Sequence, residues 1–284
     1  MSKLSYLTTV MLMICALCTP VQAGLFSKKP PEQPPITGNV FMSEDFNSNL
    51  SSEVPVKSLT IGSNTLYSDK PALTIVNVGT GDRALSLVGS FVRFRINPTN
   101  IGQGQALQLQ FTITYPNGAT EDKQSLRFGF YSLSDITDTT AVVAADQGLG
   151  IFTVPSVDAK SGKTSFIQDL NAPDRAGKWP GFMGGGPGSR QSSDKCGSIN
   201  FLKKTAQISM TIAPIANGVG VNPSWQVSFS IKIGKKSITN RYVFDSSNQF
   251  DLTSFNTVGI RVGATEQAYV DDVSVSLLKL ADAE

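Results

Sequence analysis

The sequence predicts an all-β protein, a two-sheet antiparallel sandwich. Apolar and polar residues alternate over 107–115, 207–212 and 225–233, and no window has a sustained 3.6-residue period. Turn-forming residues follow such runs, as at Pro116-Asn117-Gly118. Strands with one apolar and one polar face pack as antiparallel sheets, face to face. We therefore expect two sheets around one core.

Residues 1–23 have the composition of a signal peptide. Lys3 precedes an apolar run over 6–18, and Val21-Gln22-Ala23 offers small residues to a signal peptidase. The apolar run is shorter than the about 20 residues that a membrane-spanning helix needs. We expect cleavage after Ala23 and an exported protein, secreted, periplasmic or at the cell surface, that does not span the membrane.

The net charge and the cysteine count limit which partners the protein can bind and how its fold can be stabilised. Loss of Lys3 with the signal lowers the formal net charge from +2 to +1, so a basic surface for nucleic acid is not expected. Two of the three cysteines lie in the signal, which leaves Cys196 alone. An exported chain with no internal disulfide is held by core burial or by a metal.

Residues 24–38 are rich in Pro and Lys and predict an extended tether, followed by one β-sandwich domain over 39–280. Within the domain we expect roughly ten to thirteen strands, the first pairing with the last to close the sheet edges. The segment 155–200 is rich in Gly, Pro and Ser and predicts a long loop, the favoured recognition surface.

Three short segments carry a family resemblance. They are an opening Glu44-Asp45-Phe46, a middle strand over Leu126–Tyr131 and a closing strand over Tyr269–Val275. Together they resemble the concanavalin A-like jelly-roll superfamily, which includes LamG-like domains and the carbohydrate-binding modules of bacterial secreted proteins. The resemblance covers most of residues 40–280. It implies a jelly-roll sandwich that often binds sugar and frequently holds a structural calcium near paired terminal strands.

The residues that match such a calcium site are Glu44 and Asp45 near the first strand and Asp271 and Asp272 in the last. Calcium takes about six to eight oxygen ligands, which carboxylates and carbonyls of adjacent strands can supply. The alternation changes parity at Asp271-Asp272, which predicts a β-bulge that turns a carboxylate toward the neighbouring strand. The alternative is that one aspartate caps a turn while the other is solvated.

The residues that catalysis needs are scarce. The chain has no histidine, which excludes Ser-His-Asp and Cys-His catalysis and imidazole metal sites. Glycosidases of this superfold commonly place paired glutamates on one strand with an aspartate between them, and that arrangement is missing here. We expect a noncatalytic protein.

Sugar binding needs aromatic rings on which a pyranose can pack and polar groups that fix its orientation. Trp179 and Phe182 of the long loop, together with Tyr131, are the candidate rings, and Arg190 is the candidate polar contact. Trp225 begins an alternating strand and is expected in the core.

The sequence therefore favours a secreted or cell-surface β-sandwich that binds a carbohydrate or another extracellular polymer. Two alternatives remain: a structural or adhesion module of the cell envelope, and, less favoured, a polysaccharide-degrading enzyme.

Overall fold

The computed structural model describes residues 38–47, 58–61, 64–68, 71, 73–99, 101–119, 126–132, 147–154, 163–170, 204–215, 224–244, 255–263 and 265–280. All of them lie in one compact unit, Ile36–Glu284. The predicted signal peptide lies outside these residues, and so does the predicted tether except for Gly38. Over the described ranges, no helix is long and apolar enough to cross a membrane.

The described part of the chain forms fifteen strands, more than expected. They are β1 (Gly38–Glu44), β2 (Ser58–Ile61), β3 (Asn64–Ser68), β4 (Leu73–Asn77), β5 (Arg83–Val88), β6 (Phe91–Thr99), β7 (Gln105–Thr114), β8 (Leu126–Ser132), β9 (Gln147–Val154), β10 (Lys163–Leu170), β11 (Ala206–Ile215), β12 (Ser224–Ile233), β13 (Lys236–Phe244), β14 (Phe255–Val262) and β15 (Gln267–Lys279).

These strands form two antiparallel sheets, which confirms the predicted two-sheet class. The eight-stranded sheet has the order β13-β12-β11-β7-β15-β5-β4, with β1 also paired to β15. The seven-stranded sheet has the order β10-β9-β8-β14-β6-β3-β2. The first and last strands pair antiparallel, as predicted from the sequence.

The core lies between the sheets because each strand turns alternate residues inward. On β7, Leu107, Leu109, Phe111 and Ile113 are buried while the residues between them are at least partly exposed. Phe111 meets Phe128 of β8 across the sandwich, with ring centroids 5.4 Å apart and planes at 76°. Burial of one such ring is worth about 1.5–3 kcal/mol, so the sheets are held mainly by the apolar surface between them.

The structure corrects one element and confirms others. Residues 163–170, predicted within the long loop, form edge strand β10 against β9. An edge strand has only one neighbour, and its alternation is correspondingly weak in the sequence. Trp225 is 6 % exposed and belongs to the core, as expected. The hairpin between β12 and β13 turns at Gly234, whose φ of 57° a side chain rarely adopts.

The outer face of the seven-stranded sheet carries a close aromatic contact over a glycine. Phe91 and Tyr131 meet edge to face, with centroids 5.8 Å apart and planes at 85°. A Cβ added at Gly259 of β14 would lie 2.4 Å from Phe91 and 2.5 Å from Tyr131. The absence of a side chain at this position is what lets both rings lie against the strand.

We expect Gly259→Ala to lower the melting temperature by about 5 °C or more, because the added methyl must displace two buried rings. Thermal unfolding followed by circular dichroism measures the change. Gly79→Ala is the matched control, since its Cβ would meet Asp82 at an ordinary 3.6 Å. Equal melting of the two variants would contradict the packing argument.

Candidate functional site

The outer face of the eight-stranded sheet carries the candidate site, a polar groove. Since the inward positions of β7 and β11 are apolar, their intervening residues face outward, and these are mainly Gln, Ser and Thr. The groove has a volume of about 550 Å³. It is lined by Ser43, Glu44, Asp45, Gln110, Phe111, Thr112, Gln207, Ile208, Ser209, Ser230, Lys232, Asp272 and Ser274.

Strand register arranges much of this lining in two rows that cross the strands. The first row pairs Ser274 with Gln110, Gln110 with Ser209 and Ser209 with Ser230. Neighbouring strands lie about 4.8 Å apart, so the row presents one hydroxyl or amide at each such interval.

The second row pairs Thr112 with Gln207 and Gln207 with Lys232. The side chains of Phe111 and Ile208 are each 2 % exposed and lie in the core, so these residues offer the groove mainly their backbone. The accessible groove surface is therefore dominated by hydroxyl, amide and charged groups.

One end of the groove lies where β15 changes its neighbour. Val270 pairs with Leu85 of β5, whereas Val273 pairs with Glu44 of β1. The register of β15 against β7 shifts between Asp271 and Ser274, and Asp272 has a φ of 51°. This is the β-bulge that the change of parity predicted, and it lets Val270 and Val273 both point into the core.

The bulge brings together aspartates from three strands. Asp45 directly follows β1, Asp82 directly precedes β5, and Asp271 and Asp272 form the bulge itself. The sequence marked three of these residues but not Asp82, because the pairing of β5 with β15 is not visible in local patterning.

Crowding changes the acidity of Asp271. The pKa of Asp271 is raised from 3.8 to about 6, first by partial burial and then by the negative charges of Asp272, Asp82 and Asp45. The backbone N–H of Asp272 donates to Asp271 Oδ1 at 2.8 Å and opposes the rise. Over the described ranges, no cationic group is among the causes that set the pKa of Asp271, so Asp45, Asp82, Asp271 and Asp272 form an acidic end of the groove.

Glu44 takes a different position from its neighbour Asp45. Glu44 is 9 % exposed and faces the sandwich interior, where Phe46 N–H donates to its Oε1 at 3.0 Å. Burial raises its pKa, while hydrogen bonds from Phe46 and from Asn64 of β3 oppose that rise. Asp45 faces outward and accepts a hydrogen bond from Asn47 N–H at 3.0 Å. Glu44 thus links β1 to the opposite sheet.

The fit of this arrangement to calcium is poor. Among the described residues, no group of three or more Asp, Glu or Cys side chains is placed to hold a metal ion. One oxygen each of Glu44, Asp45 and Asp271 already accepts a backbone hydrogen bond. The calcium site of the sequence analysis stays a prediction, and the described carboxylates do not assemble its ligand set.

The predicted aromatic sugar site has a mixed outcome. Tyr131 is 1 % exposed and packed against Phe91, so the structure corrects its assignment as an exposed stacking platform. Period two places Tyr131 on the outer face of its sheet, but its ring is buried there. Trp179, Phe182 and Arg190 lie outside the described residues.

No protein-family model matches the sequence, and no curated protein matches it. Several solved structures are similar. A carbohydrate esterase from the Shiga toxin-encoding bacteriophage phi24B is 10 % identical, with a TM-score of 0.45 over 84 % of this chain and 99 % of that one.

Two plant lectins are similar to the same extent. Peanut lectin is 11 % identical, with a TM-score of 0.45 over 82 % of this chain and 99 % of that one. Lectin I-B4 from Griffonia simplicifolia is 10 % identical, with a TM-score of 0.43 over 85 % of this chain and 99 % of that one. Similarity at this level assigns no ligand or activity to the present chain.

We expect Asp271→Asn to change how stability depends on pH. The pKa of Asp271 is raised to about 6 in the folded protein, so the native state binds this proton more tightly than the unfolded chain does. The resulting stabilisation is complete below the unfolded pKa of about 4 and is lost as the pH rises through 6.

The variant should therefore melt about 2 °C above the parent protein at pH 8 and at the same temperature at pH 4. Asparagine keeps the oxygen that accepts the Asp272 N–H, so the bulge is preserved. Asp45→Asn, which removes a more distant charge, should give a smaller gain at pH 8. A variant that is less stable than the parent at pH 8 would show that the carboxylate has a compensating partner.

Proposed function

We propose that this protein is an exported, noncatalytic β-sandwich that binds a carbohydrate in the polar groove of the eight-stranded sheet. The observation that carries the proposal is the composition of the groove, whose outward side chains are hydroxyls and amides in cross-strand rows. The absence of histidine from the whole sequence favours binding over hydrolysis by a histidine-based mechanism.

A saccharide and this groove have matching hydrogen-bonding chemistry. Each sugar hydroxyl both donates and accepts, and so do the hydroxyls of Ser and Thr and the amides of Gln110 and Gln207. The row from Ser274 to Ser230 crosses four adjacent strands, so several sugar hydroxyls can be met at once. Each net hydrogen bond is worth about 0.5–1.5 kcal/mol, and affinity would come from their number.

The side-chain hydrogen bonds on the groove face are weak enough to be replaced by hydrogen bonds to a ligand. Thr112 Oγ1 donates to the carbonyl of Asp271 at 3.3 Å, and Gln108 Nε2 donates to Ser209 Oγ at 3.4 Å. Both distances exceed the common range of about 2.7–3.2 Å, so these bonds are weak. Replacing them with ligand hydroxyls would cost little, which favours binding without rearrangement of the sheet.

Within the described part of the chain, the groove lining contributes no exposed aromatic ring, since Phe111 is buried. Stacking would therefore come from Trp179 and Phe182, which stay a prediction. The groove and the long loop are separate hypotheses, and substitutions in each of them test the two independently.

We expect the protein to be retained on a defined class of polysaccharide, measured by glycan array and by pull-down with insoluble polymers. The double variant Gln110→Leu, Gln207→Leu should lower retention about tenfold, because two to four hydrogen bonds are lost. Thr239→Leu is the control, since Thr239 is an exposed position of the same sheet outside the groove.

Trp179→Ala separates the two locations. Loss of binding in this variant, with the glutamine variant unaffected, would move the site from the groove to the loop. Failure of the parent protein to bind any glycan, together with self-association or retention on cell-wall material, would favour a structural module of the envelope instead. Release of reducing ends from a polymer would overturn the noncatalytic assignment.

A further inference from the structure

The two sides of the groove differ in charge. Asp45 and Asp272 line it where β1 and β15 meet, with Asp82 and Asp271 close behind them. Lys232 lines it on β12, three strand spacings or about 14 Å away. The neutral rows of hydroxyls and amides run between these charges. A ligand that lies along the rows therefore meets negative potential at one end and positive potential at the other.

The negative end is not neutralised by the described part of the chain. The polar partners of Asp45 and Asp271 there are backbone N–H groups, each engaging one carboxylate oxygen. The neighbouring Arg83 instead directs its Nε to Asn77 Oδ1 at 3.3 Å. Burial is the main reason for the raised pKa of Asp271, and the charges of Asp272, Asp82 and Asp45 add to the rise. A positive group placed here by a ligand would relieve the repulsion among these charges.

The geometry distinguishes between kinds of positive group. Calcium needs about six to eight oxygens at close range, and the described carboxylates form no such group. An ammonium group has three donors and needs only two or three acceptors at hydrogen-bond distance. Asp45, directly after β1, and Asp272 of β15 both line one end of the groove and are the acceptors available there.

We infer that the groove recognises a saccharide bearing a free amine, an amino sugar whose ammonium group lies between Asp45 and Asp272. The remaining hydroxyls of the sugar chain lie along the row from Ser274 to Ser230. This inference rests on the proposed carbohydrate-binding function and specifies its ligand class. A fully N-acetylated chain keeps the same sugar backbone, but its nitrogen carries an acetyl group and no charge.

The experiment compares three soluble oligosaccharides of equal length: β-1,4-linked glucosamine, its fully N-acetylated form and β-1,4-linked glucose. Affinity is measured by isothermal titration with the full-length mature protein at low and at moderate salt. The glucosamine oligomer should bind most tightly, and its affinity alone should fall as salt rises, since only that interaction is ionic.

Asp272→Asn should weaken binding of the glucosamine oligomer about fivefold and leave the two neutral oligomers unchanged. Asp82→Asn, which removes a charge behind the groove rather than in its lining, should have a smaller effect in the same direction. Lys235→Gln is the matched charge control, because Lys235 is an exposed residue of the turn between β12 and β13 outside the groove lining, and it should leave binding of the glucosamine oligomer unchanged. Melting temperatures of all variants report whether each one is folded.

The outcomes separate this inference from the function it rests on. Equal binding of all three oligomers, unchanged in Asp272→Asn, would overturn the ammonium site and leave the carbohydrate-binding groove intact. Binding of no saccharide would overturn both. A rise in melting temperature with calcium that disappears in Asp272→Asn, without preference for glucosamine, would replace the ammonium with a metal ion.

Discussion

The rest of the structure depends on how β15 pairs with its neighbours. This strand hydrogen-bonds to β7 along one edge and divides its other edge between β5 and β1. It thereby joins both ends of the chain to the middle of the eight-stranded sheet. The bulge at Asp271-Asp272 makes this division compatible with a continuous apolar face, because it restores the inward direction of Val273 and Val275. The packing of the core beside β15 and the position of the acidic end of the groove both follow from this one β-bulge.

The candidate site follows from the same sheet in a second way. Antiparallel register aligns equivalent outward positions of β15, β7, β11 and β12, so a bias toward Ser, Thr and Gln becomes a continuous polar surface. The inward side chains pack the two sheets against each other, as in the contact between Phe111 and Phe128. Outward residues such as Gln110 therefore vary in chemistry with little effect on the core, which is how one scaffold accommodates different ligands.

Sequence patterning predicted the parts of this structure that are local. Period-two alternation located β7, β11 and β12, and the change of parity located the bulge, since both signals reside within one strand. The groove was not predictable, because it depends on which strands are neighbours. Asp82 was missed for that reason. Tyr131 was misplaced because alternation gives the face of a strand but not what packs on that face. Strand β10 was missed because its pattern is faint.

The central place of β15 has a consequence for the order in which the molecule is assembled. Of the described strands, β15 is synthesised last, yet it separates β7 from β5 and β1 in the finished sheet. Without β15, the described strands of this sheet fall into three pieces with no ladder between them: β13-β12-β11-β7, β5-β4 and β1. Closure of this sheet must therefore wait until β15 has been synthesised, and contacts of such long sequence separation form slowly.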